Sequence, residues 1–188
     1  MPEKPRDRTL NQEERERLLS TIKANYPNYY PFFYFMIIVP CRTSELVNAK
    51  REYYDPVYNV INIPDSKARI PITKPIPPEM IGYFKSLPTD VPYLFYRKKG
   101  NTYYPLNNYR HAWERSLKLC NLSNLRVHDL RHISSTDMYN MGVPERTIMS
   151  SAGWKTPMLS TYRHKDGMRD AQAIQQVLRG RDPQTIQF

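Results

Sequence analysis

Only two cysteines, Cys41 and Cys120, occur in the 188 residues, and neither belongs to a CxxC pair or a His/Cys cluster. A disulfide framework and a cysteine zinc site are therefore not expected, and a reduced, intracellular compartment is. Long hydrophobic runs are also scarce. The longest apolar stretch, Phe32 to Val39, is too short to span a bilayer, and the charged start from Met1 to Arg8, with Pro2 and Pro5, does not read as a secretory signal. A soluble, cytoplasmic protein is the expectation. No Walker-type glycine loop, dinucleotide fingerprint, internal repeat or low-complexity segment is present, so nothing points to a nucleotide-fuelled enzyme or a repeat array.

Positive charge, by contrast, is abundant. The formal net charge is +10, and it sits unevenly: eight Lys or Arg residues between Arg97 and Arg131 face only Glu114 and Asp129, whereas residues 1–17 hold five basic and five acidic side chains. Such a stretch suits a polyanion, with nucleic acid, an anionic membrane or simple solubility left open by charge alone. Forty per cent hydrophobic against 24% charged residues argues for a packed domain rather than disorder, and the length fits one domain with a core. Tyrosine occurs 15 times, so a tyrosine near a motif means little unless spacing singles it out.

In chain order, residues 1–8 read as a polar tail or linker remnant, 9–180 as one domain and 181–188 as a polar C-terminal tail. Thr9 to Glu14 offers two capping boxes, with Leu18, Leu19 and Ile22 behind them, which predicts a helix over about 11–24. Tyr29 to Val39 is almost wholly apolar or aromatic and predicts a buried helix. Thr43 or Ser44 can cap a short helix to about Lys50, which puts Arg42 at a helix N-terminus with Glu45 in i,i+3 reach. Val57 to Ile63 and Ala68 to Ile72 read as strands of a hairpin with Lys67 at its tip. Pro75, Pro77 and Pro78 form a stiff connection into a helix to about Leu87. Val91 to Tyr96 reads as a strand or extended loop, Arg97-Lys98-Lys99-Gly100 as a basic turn, and Asn107 to Leu119 as a helix with Tyr109, Trp113, Leu117 and Cys120 near one face.

The chemistry concentrates in residues 126–164. His128 and Arg131 stand at i and i+3, and Leu130, Ile133, Met138 and Met141 suit one buried face, so a helix should begin at His128. Gly142 and Pro144 read as a stop and a new start, and Gly153 as a second break that leaves Trp154 on a turn and Tyr162 on a short helix beyond it. Donors, cations and one phenol could together surround a phosphate.

The ordered set Arg42, Lys67, His128, Arg131, Trp154 and Tyr162, within Cys41-Arg42-Thr43-Ser44-Glu45-Leu46, the hairpin lysine, His128-Asp129-Leu130-Arg131-His132, Ala152-Gly153-Trp154 and Thr161-Tyr162-Arg163-His164, resembles the catalytic domain of the tyrosine recombinases, the phage integrase family. The resemblance covers about Thr9 to Leu178. It implies an α+β, mainly helical fold with a small antiparallel β-hairpin at one edge. It also implies a bacterial or phage-encoded site-specific DNA recombinase that cuts and rejoins strands through a covalent 3'-phosphotyrosyl link, on double-stranded DNA, with no cofactor and no metal. A type IB topoisomerase-like enzyme and a non-catalytic DNA-binding module are the alternatives.

By that resemblance Tyr162 is the nucleophile, Arg42 and Arg131 clamp the phosphate, and Lys67 protonates the leaving 5' oxygen. His128 orients the phosphate or assists proton transfer, and Trp154, where the family more often has histidine, donates an indole N–H. Glu45, His132 and His164 are supporting residues, and Arg97, Lys98, Lys99, Arg110 and Arg126 are expected to hold the DNA backbone. Two arginines suit the task because guanidinium groups hold phosphate oxygens with parallel N–H bonds as charge grows on them. The chain departs from the family in four respects. Trp154 and Tyr162 are eight residues apart where nine is usual, the hairpin is compact, Pro40 replaces a common glycine, and the N-terminal core-binding domain is absent. A catalytic piece of a longer integrase is therefore expected, with a minimal recombinase as the alternative, monomeric alone and tetrameric on DNA. The helical face of Met168 to Leu178 packs on its own domain or on a neighbouring protomer.

Overall fold

Asn11 starts the first helix because its side chain and that of Glu14 cap each other: Glu14 N donates to Asn11 Oδ1 at 2.8 Å, and Asn11 N donates to Glu14 Oε2 at 3.2 Å. Of the two boxes the sequence offers, this is the one that closes. Helix α1 runs Gln12–Asn25 and buries Leu18 and Ile22. The structure is a computed structural model that describes residues 8–64 and 71–154, all within one compact unit. Lys67, Tyr162, His164 and the helix expected over Met168 to Leu178 lie outside the described residues.

After a turn at Pro27–Tyr29, helix α2 (Tyr30–Ile38) buries Phe32, Phe33, Phe35, Met36 and Ile37, so it is wrapped on nearly every side, as its unbroken apolar run implies. Its rings anchor the core, with Phe33 5.0 Å from Trp113, Phe32 5.8 Å from Phe95 and Phe35 6.3 Å from Phe84. Side chains of this size stabilise by roughly 1.5–3 kcal/mol each when fully buried. Both α1 and α6 (Asp129–Asn140) pack on α2, and Arg15 of α1 pairs with Asp137 of α6. Helix α3 is shorter than expected, Thr43–Val47, and neither Thr43 nor Ser44 is its cap. Arg42 takes that position, and the Glu45 carboxylate accepts the Arg42 backbone N–H at 2.9 Å.

The hairpin differs from its expected outline. Strands β1 (Tyr54–Asp55), β2 (Val60–Ile63) and β3 (Ile72–Pro75) form one antiparallel sheet in that order. The first expected strand loses Val57 to Asn59. There Asp55 Oδ1 accepts the N–H groups of Val57 and Tyr58 at 2.9 and 3.1 Å, and Asn59 adopts a φ of 51°, which together make a turn. Val57 and Tyr58 are accordingly 77% exposed. Of the second expected strand, 68–70 lie outside the described residues; β3 shares only Ile72 with it and runs on to Pro75, which brings Lys74 into the sheet opposite Ile61. Pro75, expected in the connection, ends the strand.

The helix expected to about Leu87 forms as a short turn Pro78–Met80 and helix α4 (Ile81–Lys85), ending two residues earlier. Residues 91–95 form no strand, although Tyr93 bridges to Lys50. The basic segment is likewise not a turn: Arg97, Lys98 and Lys99 lie in β4 (Tyr96–Lys99), which pairs with β5 (Thr102–Pro105), and Gly100, with φ 57°, makes the turn after them. Helix α5 (Tyr109–Leu119) buries Trp113 and Leu117, with Cys120 at its end, and the Trp113 indole donates to Leu125 O at 3.0 Å, tying α5 to the entry of α6.

On α6 the buried face holds Leu130 and Ile133 but not Met141, which is 83% exposed; Ser134 and Ser135 complete the face instead. Their hydroxyls are satisfied by donating back to Arg131 O at 3.2 and 2.8 Å, which is how polar groups can replace a methionine there. Gly142 (φ 87°) and Pro144 separate α6 from α7 (Glu145–Ala152), as their spacing predicts. No described helix is long and apolar enough to cross a membrane.

Candidate active site

Helix α7 ends in a left-handed residue, Gly153 (φ 67°), and its closing turn is hydrogen-bonded from Trp154 N to Met149 O at 2.9 Å. Only a glycine fits this spot. A Cβ would lie 2.3 Å from Ile72 Cδ1 on β3 and 3.4 Å from Arg42 Nη1. The close approach lets Gly153 O accept a hydrogen bond from Arg42 Nη2 at 3.2 Å, while Arg42 Nη1 donates to Glu45 Oε1 at 2.8 Å. Arg42 is therefore held at both ends of its guanidinium by α7 and α3, and the pair is no loose surface contact, since Glu45 is buried.

Arg131 comes from the first turn of α6, whose start is fixed by the buried Asp129 carboxylate accepting Arg126 N at 2.8 Å. Its side chain is only 2% exposed, and Nη1 has no hydrogen-bond partner among the described residues. The guanidinium carbon sits 5.3 Å from the centre of the Trp154 ring. Burial, and then the like charge of Arg42, lower its pKa to about 10, so it is still a cation at neutral pH. A buried cation with an unsatisfied donor is costly unless an anion completes it.

The two histidines flank this centre. His132 lies 5.7 Å from His128 and 6.2 Å from Trp154, ring to ring. Loss of solvent first, then Arg131 for His128 and His128 for His132, lower both pKa values below the ordinary 6.5, so both rings are neutral at pH 7. A neutral imidazole at His128 can accept a proton. Trp154 can only donate.

One residue of this cluster escaped the sequence reading. Lys74, fully buried on β3, donates to Pro40 O at 2.9 Å and to Ser151 O, and lies 3.3 Å from Glu45 Oε2. Burial tends to raise the Glu45 pKa, but Lys74 and the Arg42 bonds outweigh it and the net shift is downward. The signal was present: alternation along Ile72-Thr73-Lys74 puts Lys74 on the same face as the buried Ile72. Cys41, beside this cluster, has its thiol pushed up to about 12 by burial and is not a nucleophile.

The DNA-binding candidates divide into two groups. Arg97 and Lys98 lie over the Tyr104 and Tyr103 rings at 4.9 and 5.1 Å on the β4–β5 hairpin, with Lys99 exposed at its end. Arg110 and Arg126 instead line a groove of about 460 Å³ with Thr43, Tyr109, Trp113 and His128. Two of the groove's lining residues, Thr43 and His128, come from the segments that carry Arg42 and Arg131. Among the described residues no group of three His, Cys, Asp or Glu side chains could hold a metal ion.

The model of the phage integrase family matches residues 8–169. A shufflon-specific DNA recombinase of Escherichia coli is 22% identical over 162 residues, which is 85% of this chain but only 40% of that protein, so the chain spans about two-fifths of its length. The catalytic domain of bacteriophage HP1 integrase superposes with a TM-score of 0.67 at 19% identity, covering 87% of this chain and 92% of that one. The Tn1549 transposon integrase, in complex with transposon right end DNA, does so with a TM-score of 0.65 at 15% identity, covering 87% and 66%. With its match over 8–169 and the fold of tyrosine recombinase catalytic domains, this chain belongs to the phage integrase family, a family of DNA breaking-and-rejoining enzymes.

Proposed function

We propose that this chain is the catalytic part of a site-specific recombinase that breaks and rejoins double-stranded DNA through a tyrosine–phosphate ester. The observation that carries the reading is Arg131: a buried cation beside Arg42, with Nη1 left for an incoming anion. A DNA phosphodiester is the anion proposed.

In this mechanism Arg42 and Arg131 hold the non-bridging oxygens and stabilise the charge that grows on them, the largest single source of acceleration such a site can offer. Trp154 adds an N–H donor. Tyr162 attacks phosphorus, forming the phosphotyrosyl bond as the bond to the 5' oxygen breaks. The phenol's proton passes toward neutral His128, and Lys67 gives a proton to the leaving oxygen. Glu45 keeps Arg42 in place, and His132 packs between His128 and Trp154. Because the ester retains the energy of the broken bond, the 5' hydroxyl of a second strand can reverse the reaction without ATP. The groove bordered by Arg110 and Arg126 and the cationic hairpin of Arg97, Lys98 and Lys99 receive the flanking backbone. The DNA in the Tn1549 integrase complex supports that partner, and assembly as a tetramer on DNA belongs to the same proposal.

Nicked duplexes with a randomised core provide the test, since they trap any covalent intermediate whatever its sequence. Wild-type protein should yield a protein–DNA adduct in denaturing gels, and Tyr162→Phe should not. Absence of adduct from the wild type, or its persistence in Tyr162→Phe, would sink the reading.

A further inference from the structure

We propose that Lys74 is a positioning residue that sets the phosphate clamp by holding Arg42 and the end of α7 in one geometry. The inference rests on the recombinase reading for its catalytic consequence and on the geometry alone for its structural part.

Lys74 is 0% exposed and stands on the buried face of β3, among Ile61, Ile63 and Ile72, where a branched apolar side chain would pack at no electrostatic cost. Arg42 and Arg131, both cations, are its neighbours in the same cluster, which makes another buried charge there more costly still. Its ammonium has three protons and meets three acceptors on three separate pieces of chain. Pro40 O, at 2.9 Å, lies two residues before Arg42; Glu45 Oε2, at 3.3 Å, belongs to the carboxylate that grips Arg42; and Ser151 O lies two residues before Gly153, whose own carbonyl holds Arg42 Nη2. Every group that fixes Arg42 is thus within two residues of a Lys74 partner. Trp154, against Arg131, follows directly on the same turn.

Removing the ammonium takes this donor from the buried Pro40 carbonyl and the part-buried Ser151 carbonyl and lets the α7 terminus shift against α3. A displacement near 1 Å at a phosphate clamp lowers a chemical step by a factor on the order of 100. Binding of the duplex, carried by cations spread over a wide surface, should scarcely change.

The test compares wild type with Lys74→Met, which keeps length and removes charge, in the 188-residue chain, with circular dichroism checking the fold. Without DNA, the side-chain N–H signal of Arg42 and the amide protection of 149–153 are read by NMR. With the trapped nicked duplex at saturation, the single-turnover rate of adduct formation and the Kd are measured. The expected result is a displaced Arg42 signal, loss of protection at the end of α7, a rate lower by on the order of 100-fold and a Kd within about twofold of wild type. An unchanged Arg42 signal and rate in a folded variant, even one that melts earlier, would reduce Lys74 to packing and overturn the proposal. If wild type forms no adduct, the recombinase reading fails while the NMR comparison still decides the role of Lys74. Should Lys74→Met not fold, Lys74→Arg takes its place, since it keeps the charge but cannot set one nitrogen on both carbonyls.

Discussion

Arg131 is the residue at which stability and activity pull in opposite directions. Its burial costs free energy that nothing in the described protein fully returns, because Nη1 has no partner there and Arg42 repels it, while the Trp154 face returns only part. Arg131→Met should therefore raise stability by about 1 kcal/mol in urea melts and abolish adduct formation. A destabilised Arg131→Met protein would mean that the cation is a structural strut. The histidines make a second claim at this scale. A folded-state pKa below 6.5 for His128 and His132 means that the unfolded chain binds protons more readily between the two values. Their contribution is complete above pH 6.5 and is lost as the pH falls through and below it. Melting curves from pH 8 to 5.5 should show this decline, and His128→Gln with His132→Gln should flatten it.

Helix α7 and strand β3 show how two elements can share one constraint. Ile72, Ile148 and Ala152 are buried outside the main core, in a small contact where α7 lies on β3. Gly153 ends the helix there with φ 67° and no room for a Cβ. Gly153→Ala should lose roughly 1–3 kcal/mol from the left-handed backbone and the crowding of Ile72. The Ile72→Val change deletes the methyl group in the way, so the double variant should recover part of that loss. Additive losses in a double-mutant cycle would show the crowding to be relieved in another way. This contact also marks where sequence reasoning reached its limit. Gly153 reads plainly as a break, and the breaks at Gly142 and Pro144 are equally legible, because each is a local backbone preference. The exposure of Met141 was not legible, since it depends on which distant surface covers the position, and the alternation that puts Lys74 beside Ile72 becomes readable only once 72–75 is known to be the strand. The run of β3 beyond Ile72 to Pro75 has the same origin, since only pairing with Val60–Ile63 draws Thr73 and Lys74 into the sheet.

Among the described residues of the molecule, the cations proposed to meet DNA lie on two features, the β4–β5 hairpin and the groove lined by Arg110 and Arg126. Duplex DNA bound by both should show an affinity that falls steeply with salt, by about 0.9 in the log–log slope for each phosphate contact. Replacing Lys98 and Lys99 with alanine should reduce that slope by roughly 1–2, with the single-turnover rate at saturating DNA unchanged. A slope equal to that of wild type would take the hairpin out of the interface. The order of helices was legible from spacing and capping, and the family, with the fold class it implies, from the resemblance carried by five short motifs. What the motifs could not supply is the wiring among them, since Pro40, Ser151 and Gly153 contribute backbone carbonyls, and a carbonyl has no residue type.

The register of the β2–β3 pair carries one more consequence. Ile61 faces Lys74 and Ile63 faces Ile72 on the covered side, while Asn62 and Thr73 face each other outside, joined by a 2.9 Å side-chain hydrogen bond. A slip by one residue would turn the ammonium out to water and bring a hydroxyl or a proline ring inward. Lys74 thus acts as an index pin. A misaligned hairpin cannot satisfy the carbonyls of Pro40 and Ser151, so a chain that has paired its strands wrongly also leaves its clamp open, and faulty folding and loss of chemistry become the same event.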